Sequence, residues 1–168
     1  MIHALQFVAT FCTAIFAGAA LYVNVVEHPA RMLGDAHFAL LQWAPSYKRA
    51  TLMQAPLAVV GLLTAGAAWL LGASVWWLIA GLLIGAVVPF TFIGIMPTNR
   101  MLSAADPDAA SSEVRALLNR WSRLHAVRTA LIESARISPS AMAVVFGPTN
   151  GSSRRPASAS LQRAGGLT

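Results

Sequence analysis

Three uncharged, strongly apolar runs, each long enough to cross a lipid bilayer, constrain this chain more than any other feature. They extend from about Ala4 to Val26, from Ala50 to Leu71 and from Val75 to Met96. A helix rises about 1.5 Å per residue, so roughly 20 apolar residues cover the hydrocarbon layer. In that layer every backbone N–H and C=O must be satisfied within the protein, which leaves helices as the economical solution for such runs. The expected fold is therefore all-α, a membrane helical bundle with three transmembrane helices and an amphipathic fourth helix.

Composition supports the same class. Charged residues make up 11% of the 168 positions, against about 25% in a typical soluble domain. The formal charge of +6 could suggest nucleic acid. However, no basic cluster is interleaved with aromatic residues that could stack on bases, so nucleic acid is not an expected partner. The single cysteine, Cys12, lies in an apolar run; it excludes an intrachain disulfide and a Cys-x-x-Cys redox site. No basic residue precedes the first run, which outlasts a signal-peptide core and so favours a retained span. The small residues Ala17-Gly18-Ala19-Ala20 keep cleavage as the alternative.

Between the first two runs, Glu27 to Arg49 reads as a polar loop. The second and third runs are joined by the short Gly72-Ala73-Ser74 link, so they should form an antiparallel hairpin. Trp69, Trp76 and Trp77 bracket this link, as in an interfacial aromatic belt. Gly81 and Gly85 form a small-xxx-small pair suited to close packing within the bundle. Pro89 should kink the third helix.

A fourth helix is expected over about 112–137. Val114, Leu117, Leu118, Trp121, Leu124, Leu131, Ile132 and Ala135 recur at helical spacing. Arg128, Glu133 and Arg136 would sit in its hydrocarbon stretch. Central charges cost about 2.5 to 3.5 kcal/mol each on insertion scales, so an interfacial or cytosol-facing helix is favoured. The membrane domain is drawn at 1–138. The Gly-, Ser-, Arg- and Pro-rich segment 139–168 is expected to be a disordered tail.

All twelve basic residues fall in the Glu27–Arg49 segment or after Pro97. With three spans these regions share one side, so the amino terminus is expected outside and the basic side in the cytoplasm. The same topology gathers polar residues at one membrane face. Asn24, Glu27 and His28 end the first span; Trp43, Tyr47 and Arg49 precede the second; Thr98, Asn99 and Arg100 follow the third. Trp121, His125 and Arg128 share one face of the fourth helix through their i, i+4, i+7 spacing. Interfacial anchoring is the simpler role for such residues. Asn24 stands out because an amide in the last turn of a span needs a partner. No His-x-x-x-His or Glu-x-x-His pair presents two metal ligands from one helix. No charged residue lies in the middle of a span, which disfavours an ion pathway.

Four blocks carry a resemblance. They are Asn24-Val25-Val26-Glu27-His28-Pro29-Ala30-Arg31, Trp43-Ala44-Pro45-Ser46-Tyr47-Lys48-Arg49-Ala50, Pro97-Thr98-Asn99-Arg100-Met101-Leu102, and Trp121-Ser122-Arg123-Leu124-His125-Ala126-Val127-Arg128-Thr129. In this order, from the first span to about Ala130, the chain resembles the anthrone-oxygenase-like family of small, mostly bacterial membrane proteins. The resemblance implies a four-helix membrane bundle in a bacterial inner membrane. It also implies oxidation of an anthrone to an anthraquinone by molecular oxygen, with no metal or flavin cofactor. Such chemistry needs a base for an acidic C–H and donors for the resulting enolate. On that reading His125 is the base, and Arg128 and Asn99 hold the enolate. Asn24, His28, Tyr47, Arg49 and Trp121 bind the aromatic substrate, with Tyr47 and Trp121 stacking on it. The competing function is a non-enzymatic membrane subunit or scaffold that binds a partner or lipid.

After Leu131 the apolar text expected of a fourth span gives way to Ile132-Glu133-Ser134-Ala135-Arg136 and the polar tail. A reading-frame change accounts for this break. It predicts an apolar stretch in another frame of the coding DNA past codon 131, and its absence from both frames would mean genuine divergence.

Overall fold

A computed structural model describes residues 1–106 and 112–146, and among them the regular structure is entirely helical. The elements are α1 (Ile2–Tyr22), a π-turn at Val23–Glu27, α2 (His28–Arg31), α3 (Ala36–Leu70), α4 (Val75–Phe90), a second π-turn at Thr91–Ile95, α5 (Met96–Ala104) and α6 (Ser112–Phe146). Three continuous helical stretches, Ile2–Arg31, Ala36–Leu70 and Val75–Ala104, are long and apolar enough to cross a membrane. Only about a quarter of each apolar window is buried inside the protein. Phe7, Phe11, Leu52, Leu63, Leu82 and Ile93 all point outward. An apolar exterior of this extent requires lipid as its solvent, and the protein is an integral membrane protein.

The helices run further than the apolar text. The Glu27–Arg49 segment, read above as a loop, is helical except for a tight turn at Met32–Asp35. There Asp35 caps α3 by accepting from the Phe38 backbone N–H at 2.7 Å. The third stretch passes through Pro97 and continues to Ala104. Polar residues can extend a transmembrane helix beyond the hydrocarbon, because backbone bonding does not depend on the side chain's solvent. Hydropathy marks where lipid ends, and the helix ends elsewhere.

The two π-turns accommodate Pro29 and Pro97. A proline ring clashes with the carbonyl four residues back and offers no N–H to it. Immediately before Pro29 and Pro97, the N–H groups of His28 and Met96 donate instead to Val23 and Thr91, five residues back. Each widened turn displaces the offending carbonyl and rotates the preceding side chains. The chain thus consists of two successive hairpins of like construction, each a helix broken by a π-turn followed by a helix of 35 residues. After the π-turns, His28-Pro29-Ala30-Arg31-Met32-Leu33 and Met96-Pro97-Thr98-Asn99-Arg100-Met101-Leu102 share proline and then Arg-Met-Leu.

The fourth helix departs from its expected interfacial position. It packs against α1 and α4, burying Ile132 and Ala135 among Phe16, Ala17, Ala20, Ala58, Ile84 and Val87. Its start is tied to the α2–α3 turn, where Arg115 donates to the carbonyls of Met32 at 2.6 Å and Gly34 at 3.1 Å. The charge of Arg128 is not presented to lipid; it turns toward the bundle interior, where it has partners. Helix α6 also continues through Pro139 to Phe146, past the point where the tail was placed. Residues 147–168 lie outside the described residues.

Small residues let the first hairpin and α4 approach. A Cβ added at Gly81 would sit 3.1 Å from Ala65 Cβ and 3.4 Å from the Leu62 carbonyl on α3, and one at Gly85 would press on Leu62. The Gly81–Gly85 pair therefore serves packing within the chain. Gly81→Val should separate α3 from α4 and destabilise the bundle by about 1–3 kcal/mol. Gly66→Ala, which meets nothing within 4 Å, should be neutral or stabilising. Thermal melting of both variants in detergent checks the contrast.

Candidate functional site

The first π-turn carries Asn24 to the α1–α6 interface. Asn24 Nδ2 donates to Thr129 Oγ1 at 2.6 Å, and Asn24 Oδ1 lies 3.0 Å from His125 Nδ1. Thr129 Oγ1 in turn donates to the His125 carbonyl at 3.0 Å. On the far side of the imidazole, Arg128 Nη2 donates to His125 Nε2 and, at 2.8 Å, to Gln54 Oε1.

A guanidinium can only donate, so His125 Nε2 accepts and the imidazole proton is assigned to Nδ1, where it donates to Asn24. The directions then agree around the whole network. Arg128 feeds His125 and Gln54, His125 feeds Asn24, and Asn24 feeds Thr129. Arg128 also lies 5.5 Å from the centre of the Phe16 ring, close enough for a cation–π contact. The network joins α1, α3 and α6 at one level of the bundle.

Aromatic rings line the space beside it. Trp43 and Tyr47 stack with centroids 5.2 Å apart and planes at 3°. Trp121 meets Trp43 edge-on at 6.2 Å, and His125 and His28 lie 4.8 and 5.7 Å from Trp121. Beyond Trp43, Glu27 accepts from Arg31 and Ser46. These groups surround a narrow central cavity lined by Arg31, Trp43, Tyr47, Gln54, Trp121, His125 and Arg128 among others.

Two clefts share walls with this cavity. One lies between α3 and α4 and is mainly apolar, with Phe16, Ala58, Val87 and Phe92 leading to Tyr47, Gln54 and Arg128. The other lies between α1 and α3 and carries Glu27, Gln42 and Arg49.

His125, Arg128, Tyr47 and Trp121 thus line one cavity. Asn24 reaches the same place but contacts His125 and Thr129, which makes it a positioning residue in this structure. Three candidates fall elsewhere. Asn99 is buried on α5 and does not line the cavity. Arg49 is exposed along the α1–α3 cleft. His28 lies across Trp121 from the cavity, beside a surface cleft with Asn119, Ser122 and Arg123. Helix continuation explains these placements. Residues 28–31, 36–49 and 96–104 are helical, and each side chain's bearing is set by helical phase.

The sequence reading missed Gln54, Arg31 and Thr129. Gln54 carried a legible signal, since an amide inside an apolar run needs a partner as much as Asn24 does. Arg31 stands one turn after Glu27, a spacing that pairs opposite charges on a helix.

These features define a class, an integral membrane helical bundle closed around a buried His–Arg–amide network beside stacked aromatic rings. A family profile described as anthrone oxygenase matches residues 43–137, more than half of the chain, and the chain belongs to that family. The anthrone oxygenase tpcL of Aspergillus fumigatus is 51% identical over 47 residues, covering 26% of this chain and 29% of that protein. The matched stretch is thus under a third of the relative's length. No solved structure matches. The family match passes Leu131 and reaches residue 137, and the burial of Ile132 and Ala135 agrees with it. Any break in reading frame therefore belongs after that point rather than at codon 131.

Asn24→Leu strips the acceptor from His125 Nδ1 and the donor from Thr129. Leaving such buried groups unpaired should cost about 1–3 kcal/mol. Thr129→Val keeps the Asn24–His125 bond and should cost less. Melting midpoints in the same detergent rank the two.

Proposed function

We propose that this protein oxidises a small aromatic substrate with molecular oxygen, converting an activated ring CH₂ of the anthrone type to a carbonyl without a metal or flavin. The carrying observation is the juxtaposition of His125 and Arg128 on an aromatic-lined cavity reached through an apolar cleft. A planar apolar molecule dissolved in the bilayer has a direct way in between α3 and α4. Tyr47, which lines that cleft as well as the cavity, offers it an aromatic contact. The oxygen of the substrate carbonyl draws Arg128 from His125 Nε2, which frees that lone pair to remove the acidic proton. Arg128 and Gln54 then stabilise the enolate oxygen. Gln54 fills the donor role that Asn99, buried away from the cavity, does not.

The enolate carbon bonds to molecular oxygen, and protonation gives a hydroperoxide. Removal of the second proton from that carbon expels the distal oxygen, which leaves as water after protonation. The balance is one CH₂ and one O₂ consumed for one C=O and one H₂O. Asn24 and Thr129 keep the imidazole oriented throughout.

A second reading, a non-enzymatic membrane subunit, draws on the saturation of His125. Both ring nitrogens already have partners, as in a purely structural tie. The two readings separate in oxygen uptake by purified protein supplied with an anthrone. Catalysis predicts anthrone-dependent uptake that drops about 100-fold or more in His125→Ala, in protein whose melting shows it folded. Unchanged uptake in that variant removes the base role; no uptake by the unaltered protein favours the subunit.

We place the protein in a bacterial inner membrane with the site end, which carries the basic residues, toward the cytoplasm. A thiol reagent that cannot cross membranes should label Arg100→Cys from that side alone.

A further inference from the structure

We infer that the central cavity is a binding site for a singly charged anion, built by Arg31, Trp43, Gln54, Trp121 and Arg128. Each of these residues lines the cavity. Each also carries a buried nitrogen with no partner, namely Arg31 Nη1, Trp43 Nε1, Gln54 Nε2, Trp121 Nε1 and Arg128 Nε. The orientation of the Gln54 amide follows from Arg128, because the oxygen must face the guanidinium and the NH₂ is left over. All five unpartnered atoms are therefore donors. Four of the residues, Arg31, Trp43, Gln54 and Trp121, are no more than 4% exposed.

Buried polar groups normally find partners, since an unpaired one costs about 1–3 kcal/mol. Five such nitrogens on residues that line one cavity point to an occupant. The free space holds about one or two water-sized molecules. A water offers two lone pairs and must place two hydrogens of its own, so a single water leaves most of these donors unpaired. An anion accepts from all directions and needs no acceptor in return. The local charge agrees. Two guanidiniums border the cavity, and the neighbouring carboxylate, Glu27, is engaged by Arg31 and Ser46. Hydroxyls at the wall, on Tyr47 and Thr51, can rotate to donate as well.

The anion is either a free inorganic one or the oxyanion of an ionised phenol or enol whose apolar body occupies the α3–α4 cleft. Only the second source rests on the proposed oxygenase reading. The site itself does not, because its test uses no turnover.

The experiment is bromide titration of protein labelled with ¹⁵N in tryptophan, in detergent micelles, read at the five indole N–H resonances. Trp43 and Trp121 should shift saturably, while Trp69, Trp76 and Trp77, at the opposite hairpin, should not. Gln54→Glu places a negative charge at the cavity and should weaken bromide at least about tenfold. Gln54→Leu, which removes one donor without adding charge, should weaken it less. Displacement of bromide by an ionised hydroxyanthraquinone identifies the organic oxyanion as occupant. Failure to displace it assigns the site to an inorganic anion. Absence of saturable shifts at Trp43 and Trp121, equal drift of all five indoles, or undiminished binding in Gln54→Glu overturns the proposal.

Discussion

A guanidinium carried into a bundle whose exterior faces lipid must find its partners among its neighbours, because no water stands ready to replace them. Arg128 meets this requirement through Gln54 on α3 and His125 on its own helix, and His125 passes the requirement on to Asn24 in the first π-turn. The donors point one way around the chain of bonds, so each member depends on the one before it. This continuity draws a charged, weakly apolar helix into a membrane bundle that its hydropathy alone would not let it join.

The π-turn at Val23–Glu27 serves the same end. It lies immediately before Pro29, where it displaces the carbonyl the proline ring would meet, and it alters the bearing of Asn24 just where α6 needs an amide. The second π-turn, before Pro97, adjoins the α3–α4 cleft through Thr91. Local backbone chemistry and the site's geometry are thus joined, as is common where helices widen by one residue. The two hairpins share this device, which gives the bundle two broken helices and two long ones around one cavity.

The proposed function draws on what the cavity offers. One wall is aromatic, another carries an imidazole whose Nε2 lone pair is taken up by an arginine, and a third adjoins a mainly apolar cleft. The donors outnumber the acceptors, so negative charge is favoured inside. A reaction that passes through an oxyanion suits such a place, and the chain's membership of the anthrone oxygenase family is consistent with that chemistry.

Sequence by itself determined the membrane class, the three spans and the hairpin between the second and third. Those follow from apolar length and link length, which act locally and hold in any tertiary arrangement. It also made the Trp121–His125–Arg128 face legible, since helical phase fixes which residues of one helix share a side. Tertiary structure decided everything that depends on where a second helix stands. It seated α6 against α1 and α4, paired Arg128 with Gln54, and set Asn24 between His125 and Thr129. Such choices are not written in hydropathy. A polar residue near the end of a span reads alike whether it faces water, lipid or a neighbour, and only the packing of helices against one another distinguishes the three.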